Sequence, residues 1–416
     1  MRFPDSLRSL RNPNLRLFFA GQAVSLAGTW AQALAQGWLV WRLTGSKEML
    51  GLVGFLSQVP VTFFGVYAGS LADRLPRRRL VMITQLNAAA QAALLAAVTL
   101  AGVVRPWHVL VLAAMLGMTY AFEIPARQAL LADIAGDDMS NAIALNSSIV
   151  NGARAVGPAL AGWLVATVGE GICFAFNAVS FGGTLYALWV MKVPPRAGPR
   201  VEQGRRAHLA EGIAWAWRAP HVRAMLALVA VSSLLAIPYA TLLPAVSAEV
   251  LGGGAGLFGI LQALAGVGAF VGAVALLGRR GLLGLDRRLG VGASCLGAGV
   301  IVLGLSRSPV LSGAALVLAG AGMISQMAGT MTLLQGLAGP ALRGRVMGLF
   351  STLFVGVAPF GALASGALAG RIGVPVTLVL GGAAVLAASG AYHLALPRLR
   401  DALRDAHAEV ADAGVP

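Results

Sequence analysis

Long apolar runs follow one another along nearly the whole chain, each separated from the next by a short polar stretch. A bilayer's hydrocarbon core asks for about 20 apolar residues per helix. On that ruler the runs predict twelve crossings, over residues 15–41, 50–72, 80–103, 107–131, 141–166, 172–191, 222–247, 257–278, 289–306, 310–335, 346–369 and 374–396. An even number puts both termini on one side. The longest polar interval, Lys192 to His221, separates six crossings from six. The pattern thus predicts an all-α membrane protein, with an N-terminal six-helix bundle over residues 1–191, a linker over 192–221, a C-terminal six-helix bundle over 222–396 and a tail over 397–416. Inside the linker, Leu209, Ile213 and Trp217 recur every four residues, which predicts a short helix lying in the membrane interface.

The cations test that topology, because lysine and arginine are costly to carry across hydrocarbon and collect on the cytoplasmic side. With the N-terminus inside, the inside segments, counted with Arg16 and Arg223 at the inner ends of their crossings, hold 24 lysines and arginines, whereas the outside loops hold 5, namely Arg42, Lys47, Arg105, Arg307 and Arg371. The split predicts a multi-pass protein of the cytoplasmic (inner) membrane with both termini cytoplasmic. Composition points the same way, with 57% of residues hydrophobic and 11% charged, against about a quarter charged in soluble domains. The net charge of +15 is spread between apolar runs rather than gathered on one face, which argues against a nucleic-acid partner. Cys173 and Cys295 lie in apolar runs far apart in sequence, so neither a disulfide framework nor a metal site is expected. The five histidines form no H-E-x-x-H, and no G-x-x-x-x-G-K-[ST] occurs. No catalytic residues, ATP site or cofactor are therefore expected.

Polar side chains inside the crossings are the candidate chemistry. Gln22, Ser25, Thr29, Gln32 and Gln36 step by three and four residues and share one face of the first helix. Two readings stay open: hydrogen bonding between helices, and the lining of a water-filled cavity that touches substrate. A charge inside a crossing is costly unless it is paired or wetted, so such residues are functional candidates. Glu123 and Arg127 stand one turn apart around Pro125 in the fourth helix, and Arg154 shares a face of the fifth with Ser147, Asn151 and Pro158. Glu123 is the only carboxylate expected within a crossing. A carboxyl group in an apolar cavity holds a proton more readily, and a nearby arginine opposes this. That balance suits cyclic protonation; a permanent ion pair of Glu123 with Arg127 or Arg154 is the alternative. In the tenth helix Met323, Met327 and Met331 accompany Gln326 and Thr330, and the methionines fit either a packing stripe or an adaptable pocket.

The turn between the second and third crossings, Gly69 to Arg79, gathers four arginines around Asp73, an acid placed for ion pairing or gating. This turn resembles the loop between the second and third helices of the major facilitator superfamily, G-x-L-a-D-r-x-x-r-r-r, with Gly69, Leu71, Asp73, Arg74, Arg77 and Arg78 on its positions. Ala153 to Gly162 resembles the superfamily's antiporter motif, g-x-x-x-G-P-x-x-G-G, through Gly157, Pro158 and Gly162, with alanine at 153 and 161 in place of glycine. Small residues with a proline also suit ordinary close packing. Leu131 to Ser140, followed by Pro158, Gly162 and Gly169, resembles Leu334 to Arg343, followed by Pro359, Gly366 and Gly373, at offsets of 201 to 204 residues. Parallel repeats of this kind are a feature of the superfamily. The second copy of the arginine-rich turn, Gly278 to Arg288, keeps its charge but loses the Gly-to-Asp spacing.

Three further stretches, Pro125 to Leu131, Asn151 to Pro158, and Leu342 to Met347 with Pro359 and Gly361, are similar to the branch of enterobactin-type siderophore exporters and macrolide efflux pumps. The resemblance, from Asn12 to Leu396, implies the major facilitator fold with a central cavity between two bundles. It implies a secondary active exporter of a bulky amphipathic small molecule, a drug-like compound or a siderophore, working by proton antiport and alternating access. It also implies contact between Asp73 and the start of the eleventh helix near Arg343 and Arg345. The expected partners are the lipid bilayer, protons and a small-molecule substrate, with the chain a monomer. An importer or facilitator of a small metabolite is the alternative, disfavoured because crossings seven to twelve are expected to hold no acid or lysine. A non-transporting membrane receptor is the reading from another class.

Overall fold

The computed structural model describes residues 5–191, 215, 217–275, 284–338 and 340–412. Leu209 and Ile213 of the expected interfacial helix lie outside them, as does the side chain of Asp73, and with it the expected contact near Arg343 and Arg345. After a short 3-10 turn (Asp5–Arg11), the first six long helices are α1 (Pro13–Thr44), α2 (Lys47–Arg74), α3 (Arg77–Leu100), α4 (Pro106–Ala135), α5 (Met139–Val168) and α6 (Glu170–Val190). The next are α7 (Pro220–Val250), α8 (Ala255–Val274), α9 (Leu285–Leu305) and α10 (Pro309–Leu337). The eleventh, α11, runs over Pro340–Ser351 and Ala358–Ile372, and α12 is Val374–Asp412. Eleven of the twelve are long and apolar enough to cross a membrane. The other, α1, has the length, with 32 residues, but carries the glutamine-rich face.

Most helices run past the expected ends because caps, rather than hydrocarbon thickness, decide where they stop. Asn12 starts α1 by accepting a hydrogen bond from the Asn14 N–H at 2.9 Å, and Gly45 ends it in the left-handed conformation. Ser46 then caps α2 through the Met49 N–H. The added turns correct one expectation, for Glu123 is not alone. Glu170 opens α6 at 6% exposure, and Asp286 lies in the first turn of α9 at 4%. Crossings seven to twelve are thus not free of acids. Burial of Glu170 is offset by Arg42 at the end of α1, whose guanidinium donates to both carboxylate oxygens at 2.8 and 3.2 Å.

The internal repeat reappears in backbone geometry. α5 passes to α6 through Gly169 alone, at φ 86° and ψ 170°, and α11 passes to α12 through Gly373 alone, at φ 85° and ψ 157°. Side chains with a Cβ essentially never adopt that region, which explains glycine at both joints.

Contacts divide the chain into two units, Met1–Val201 with Leu243–Ala263, and Glu202–Leu242 with Leu264–Pro416. In the first, α1 packs on α4, α5 and α6, while α2 packs on α4 and α3 on α6. An apolar core of Leu15, Phe18, Val81, Leu130, Ile134 and Leu188 closes its arginine-rich end. In the second, α9 packs on α10 and α12, and α12 on the first part of α7. Here α7 and α11 each open into a π-helical turn, Ser232–Ala236 and Thr352–Gly356, just before Pro238 and Pro359. Proline has no N–H to donate. In the π register the N–H owed to the Phe354 carbonyl would come from Pro359, and the Ser233 hydroxyl supplies that donor instead, at 2.5 Å.

Candidate functional site

Five helices of the first unit converge on a cavity of about 230 Å³, α5 through Val150. α1 brings Gln22, Ser25 and Thr29, three of the five residues of its polar face, and α3 brings Gln85. α4 contributes Tyr120, Glu123 and Arg127, α6 contributes Phe181 and Thr184, and Phe18 and Trp30 add apolar wall. Glu123 is only 4% exposed. Its Oε1 accepts a hydrogen bond from Gln85 Nε2 at 2.9 Å and lies 3.7 Å from Arg127 Nε, one turn on along α4. Its Oε2 has no hydrogen-bond partner in the protein. One carboxylate oxygen is therefore held, and the other is buried without a hydrogen-bond partner in the protein, so it is the one that a proton would satisfy.

The rest of the α1 face does something else. Gln32 donates to Gln91 Oε1 of α3 at 2.8 Å and accepts from Asn177 Nδ2 of α6 at 2.7 Å, while Gln91 donates to the Leu112 carbonyl of α4. Both ends of that amide are used in holding helices together. Gly28 makes room for this, since a Cβ there would stand 2.5 Å from Asn177 Oδ1 and 2.6 Å from Ser180 Oγ. Gln36 is buried but does not line the cavity, and Asn151 donates within its own helix to the Ser147 carbonyl. Arg154 sets its guanidinium 5.5 Å over the ring of Trp30.

The glycines of the antiporter-like stretch sit at backbone crossings. A Cβ on Gly157 would meet Trp30 Cβ at 2.6 Å and the Ala27 carbonyl at 2.7 Å, and one on Gly162 would stand 2.6 Å from Gly259 Cα. Pro158 lies between them, and its carbonyl faces Gly259. In the arginine-rich turn, Arg77 reaches Asp133 at 2.5 Å and the Ala129 carbonyl at 3.1 Å on α4. Arg78 donates to the Leu188 and Trp189 carbonyls at 2.5 and 2.7 Å, occupying acceptors that the end of α6 cannot satisfy by itself. Arg74 is exposed, Leu71 is half-buried, and a Cβ added to Gly69 would stand 4.0 Å from Pro125 Cβ. In the second unit Gln326 donates to Ser232 Oγ at 3.0 Å and to the Leu228 carbonyl at 3.2 Å, and Thr330 is fully buried. Met323 and Met327 flank that contact, whereas Met331 is exposed.

Gln85, Tyr120 and Thr184 were not singled out from sequence. Each stands among other polar residues, such as Thr84 and Asn87, Thr119, and Ser180, and only the neighbourhood of Glu123 marks them out. For Tyr120 the three-residue spacing to Glu123 was a usable signal.

Comparison with known proteins gives the family. The family model described as transmembrane secretion effector matches residues 5–412. The staphyloferrin A transporter of Staphylococcus aureus is 30% identical over 168 residues, covering 40% of this chain and 42% of that one. The multidrug efflux pump Tap of Mycolicibacterium fortuitum is 26% identical over 407 residues, covering 94% of this chain and 97% of that one. Among solved structures, a bacterial homolog of the human lysosomal transporter Spinster aligns with a TM-score of 0.68 at 15% identity, over 95% of this chain and 97% of that one. The nucleoside transporter NupG aligns with a TM-score of 0.70 at 12% identity, over 92% and 98%. The family and these relatives are transporters rather than enzymes. Twelve helices, a helix-lined cavity and a match across nearly the whole chain agree, and the chain belongs to the transmembrane secretion effector family of the major facilitator superfamily, as a multi-pass integral membrane transporter.

Proposed function

We propose that the chain exports a bulky amphipathic small molecule, drug-like or siderophore-like, from the cytoplasm by proton antiport and alternating access. It lies in the cytoplasmic membrane as a monomer with both termini inside. The observation that carries the reading is Glu123: a buried carboxylate on a cavity, with Oε1 held by Gln85 and Arg127 and Oε2 unpartnered. A proton entering from outside binds Oε2 and removes a charge that is costly in hydrocarbon. The neutral form favours opening toward the cytoplasm, where cargo displaces the proton, and the loaded form favours outward release. Ligand and proton thereby exclude each other at one atom, which is what couples their opposite movements. The match to a protein named as a multidrug efflux pump supports the outward direction, and the match to a staphyloferrin A transporter supports a siderophore among the cargoes. Asp73 and the arginines around it act in this reading as the cytoplasmic gate.

The test is pH-gradient-driven uptake of lipophilic dyes, a macrolide and a catecholate siderophore into inside-out vesicles. Wild type is expected to accumulate at least one of them only with the gradient present, and Glu123→Gln to abolish that accumulation. Equal accumulation by the variant would assign Glu123 to packing and move the coupling elsewhere.

A further inference from the structure

Among the described residues Arg127 is the one cation on the cavity lining, and its guanidinium makes no hydrogen bond. Glu123 Oε1 stands 3.7 Å from its Nε, beyond hydrogen-bond distance, and that oxygen is already taken by Gln85 Nε2 at 2.9 Å. The Arg127 side chain keeps 24% of its surface accessible, and none of its nitrogens is among the buried atoms that lack a partner. Its N–H groups can therefore be reached, and only the charge of Glu123 answers its own. α1 carries no charge between Arg16 and Arg42, α2 none between Glu48 and Asp73, α3 none from Leu80 to Leu100, and α6 none after Glu170. The one charge of α5 is a second cation, Arg154, set over Trp30 on the cavity wall. Tyr120 of α4 is the other titratable group on the lining, and the remaining acid of α4, Asp133, is paired with Arg77.

The pair is neutral only while Glu123 is ionised. A proton on Oε2 leaves the Gln85 hydrogen bond in place and removes the charge that faces Arg127, so a guanidinium stands uncompensated inside the membrane, which is costly. We propose that a small monovalent inorganic anion binds Arg127 when Glu123 is protonated, and that it crosses the membrane together with the proton. The volume of about 230 Å³ far exceeds the roughly 10–15 Å³ that admits one water, so the ion enters with part of its water shell. Ser25 and Trp30 share the lining and can donate to it. Proton and anion strengthen each other's binding by the same factor, and an ionised Glu123 repels the anion. A carboxylate of the cargo is not the occupant, because it would travel with the proton, whereas in the export reading cargo and proton exclude each other. The inference rests on that reading for Glu123 as the proton site. With a neutral cargo the cycle then moves no net charge, since the proton and the anion enter as a pair.

The experiment is chloride binding to the full-length chain in lipid nanodiscs, with no cargo present, read as chloride NMR line broadening across a pH series. Wild type is compared with Glu123→Gln and Arg127→Gln. Binding by wild type is expected to strengthen as the pH falls. The Glu123→Gln variant, neutral there at every pH, is expected to bind at least about fivefold more tightly than wild type at the alkaline end, the low end of ordinary coupling between two sites. It should also lose most of the pH dependence, and Arg127→Gln should remove the response. A misfolded Arg127→Gln would give the same loss, so the gain in Glu123→Gln decides: without that gain the proposal fails. It fails too if the pH-dependent broadening survives Arg127→Gln in full, which would assign the ion to surface cations. Acetate binding with this pH dependence while chloride stays silent would put a carboxylate of a larger molecule on Arg127, and would also overturn it. No proton gradient enters this assay. Gradient-driven transport that stops in Glu123→Gln, without the gain in chloride binding, would sink this inference alone, and the gain without gradient-driven transport would sink the export reading alone.

Discussion

Gln22 and Gln32 are the same amino acid on the same face of one helix, yet the structure uses them differently. Gln32 is bonded at both ends of its amide, whereas Gln22 keeps one buried oxygen without a hydrogen-bond partner. Replacing Gln32 by leucine strands an oxygen of Gln91 and an N–H of Asn177, each a buried group whose orphaning costs about 1–3 kcal/mol. The expected result is a clear fall in melting temperature in detergent; an unchanged melting temperature would show that Gln91 and Asn177 find other partners. Helical spacing placed both glutamines on one face and could go no further, because the partners of Gln32 lie 59 and 145 residues away in the chain. The same distance hid Thr184, which meets Glu123 across the cavity only after α4 and α6 have packed beside α1. Glu123 itself was legible, since a carboxylate in the middle of an apolar run is conspicuous in any register.

At the scale of elements, the arginine-rich turn shows that a charge run has two possible uses. From sequence, its arginines mark a cytoplasmic turn gathered around Asp73. In the structure Arg77 and Arg78 also fasten the start of α3 to α4 and α6, through Asp133 and through the carbonyls that end α6. Charge alone could not reveal this, because the acceptors at the end of α6 are backbone atoms and carry no sequence signature. The joints Gly169 and Gly373 are the opposite case, visible as a repeat at an offset of 204 residues before their geometry is known. With the two joints in nearly the same φ and ψ, Gly169→Ala and Gly373→Ala should each destabilise the chain by about 1–3 kcal/mol. Thermal melting of the two variants checks this, and a cost at one joint alone would show that the repeat is shared in shape but not in strain.

For the whole molecule, the count of twelve helices followed directly from the length of the apolar runs, since no other backbone form satisfies its hydrogen bonds in hydrocarbon short of a closed barrel. Sidedness rests on the cations and can be read by labelling. A cysteine at Ser308, exposed between α9 and α10, should react with an impermeant maleimide added outside intact cells. One at Arg79, exposed at the start of α3, should react only in inside-out vesicles. The reverse result would invert the topology and with it the direction of export. What length and charge could not register is that α7 and α11 break at matching places and share one hydrogen bond, Ser233 to Phe354, between residues 121 apart. That bond makes the history of the chain depend on the order of its mutations. Losing Ser233 first leaves the Phe354 carbonyl without that donor, beside a proline that has no N–H to give. Losing Pro359 first restores the N–H and frees the serine to drift. A lineage can abandon this pair of bends, but by one route far more easily than by the other.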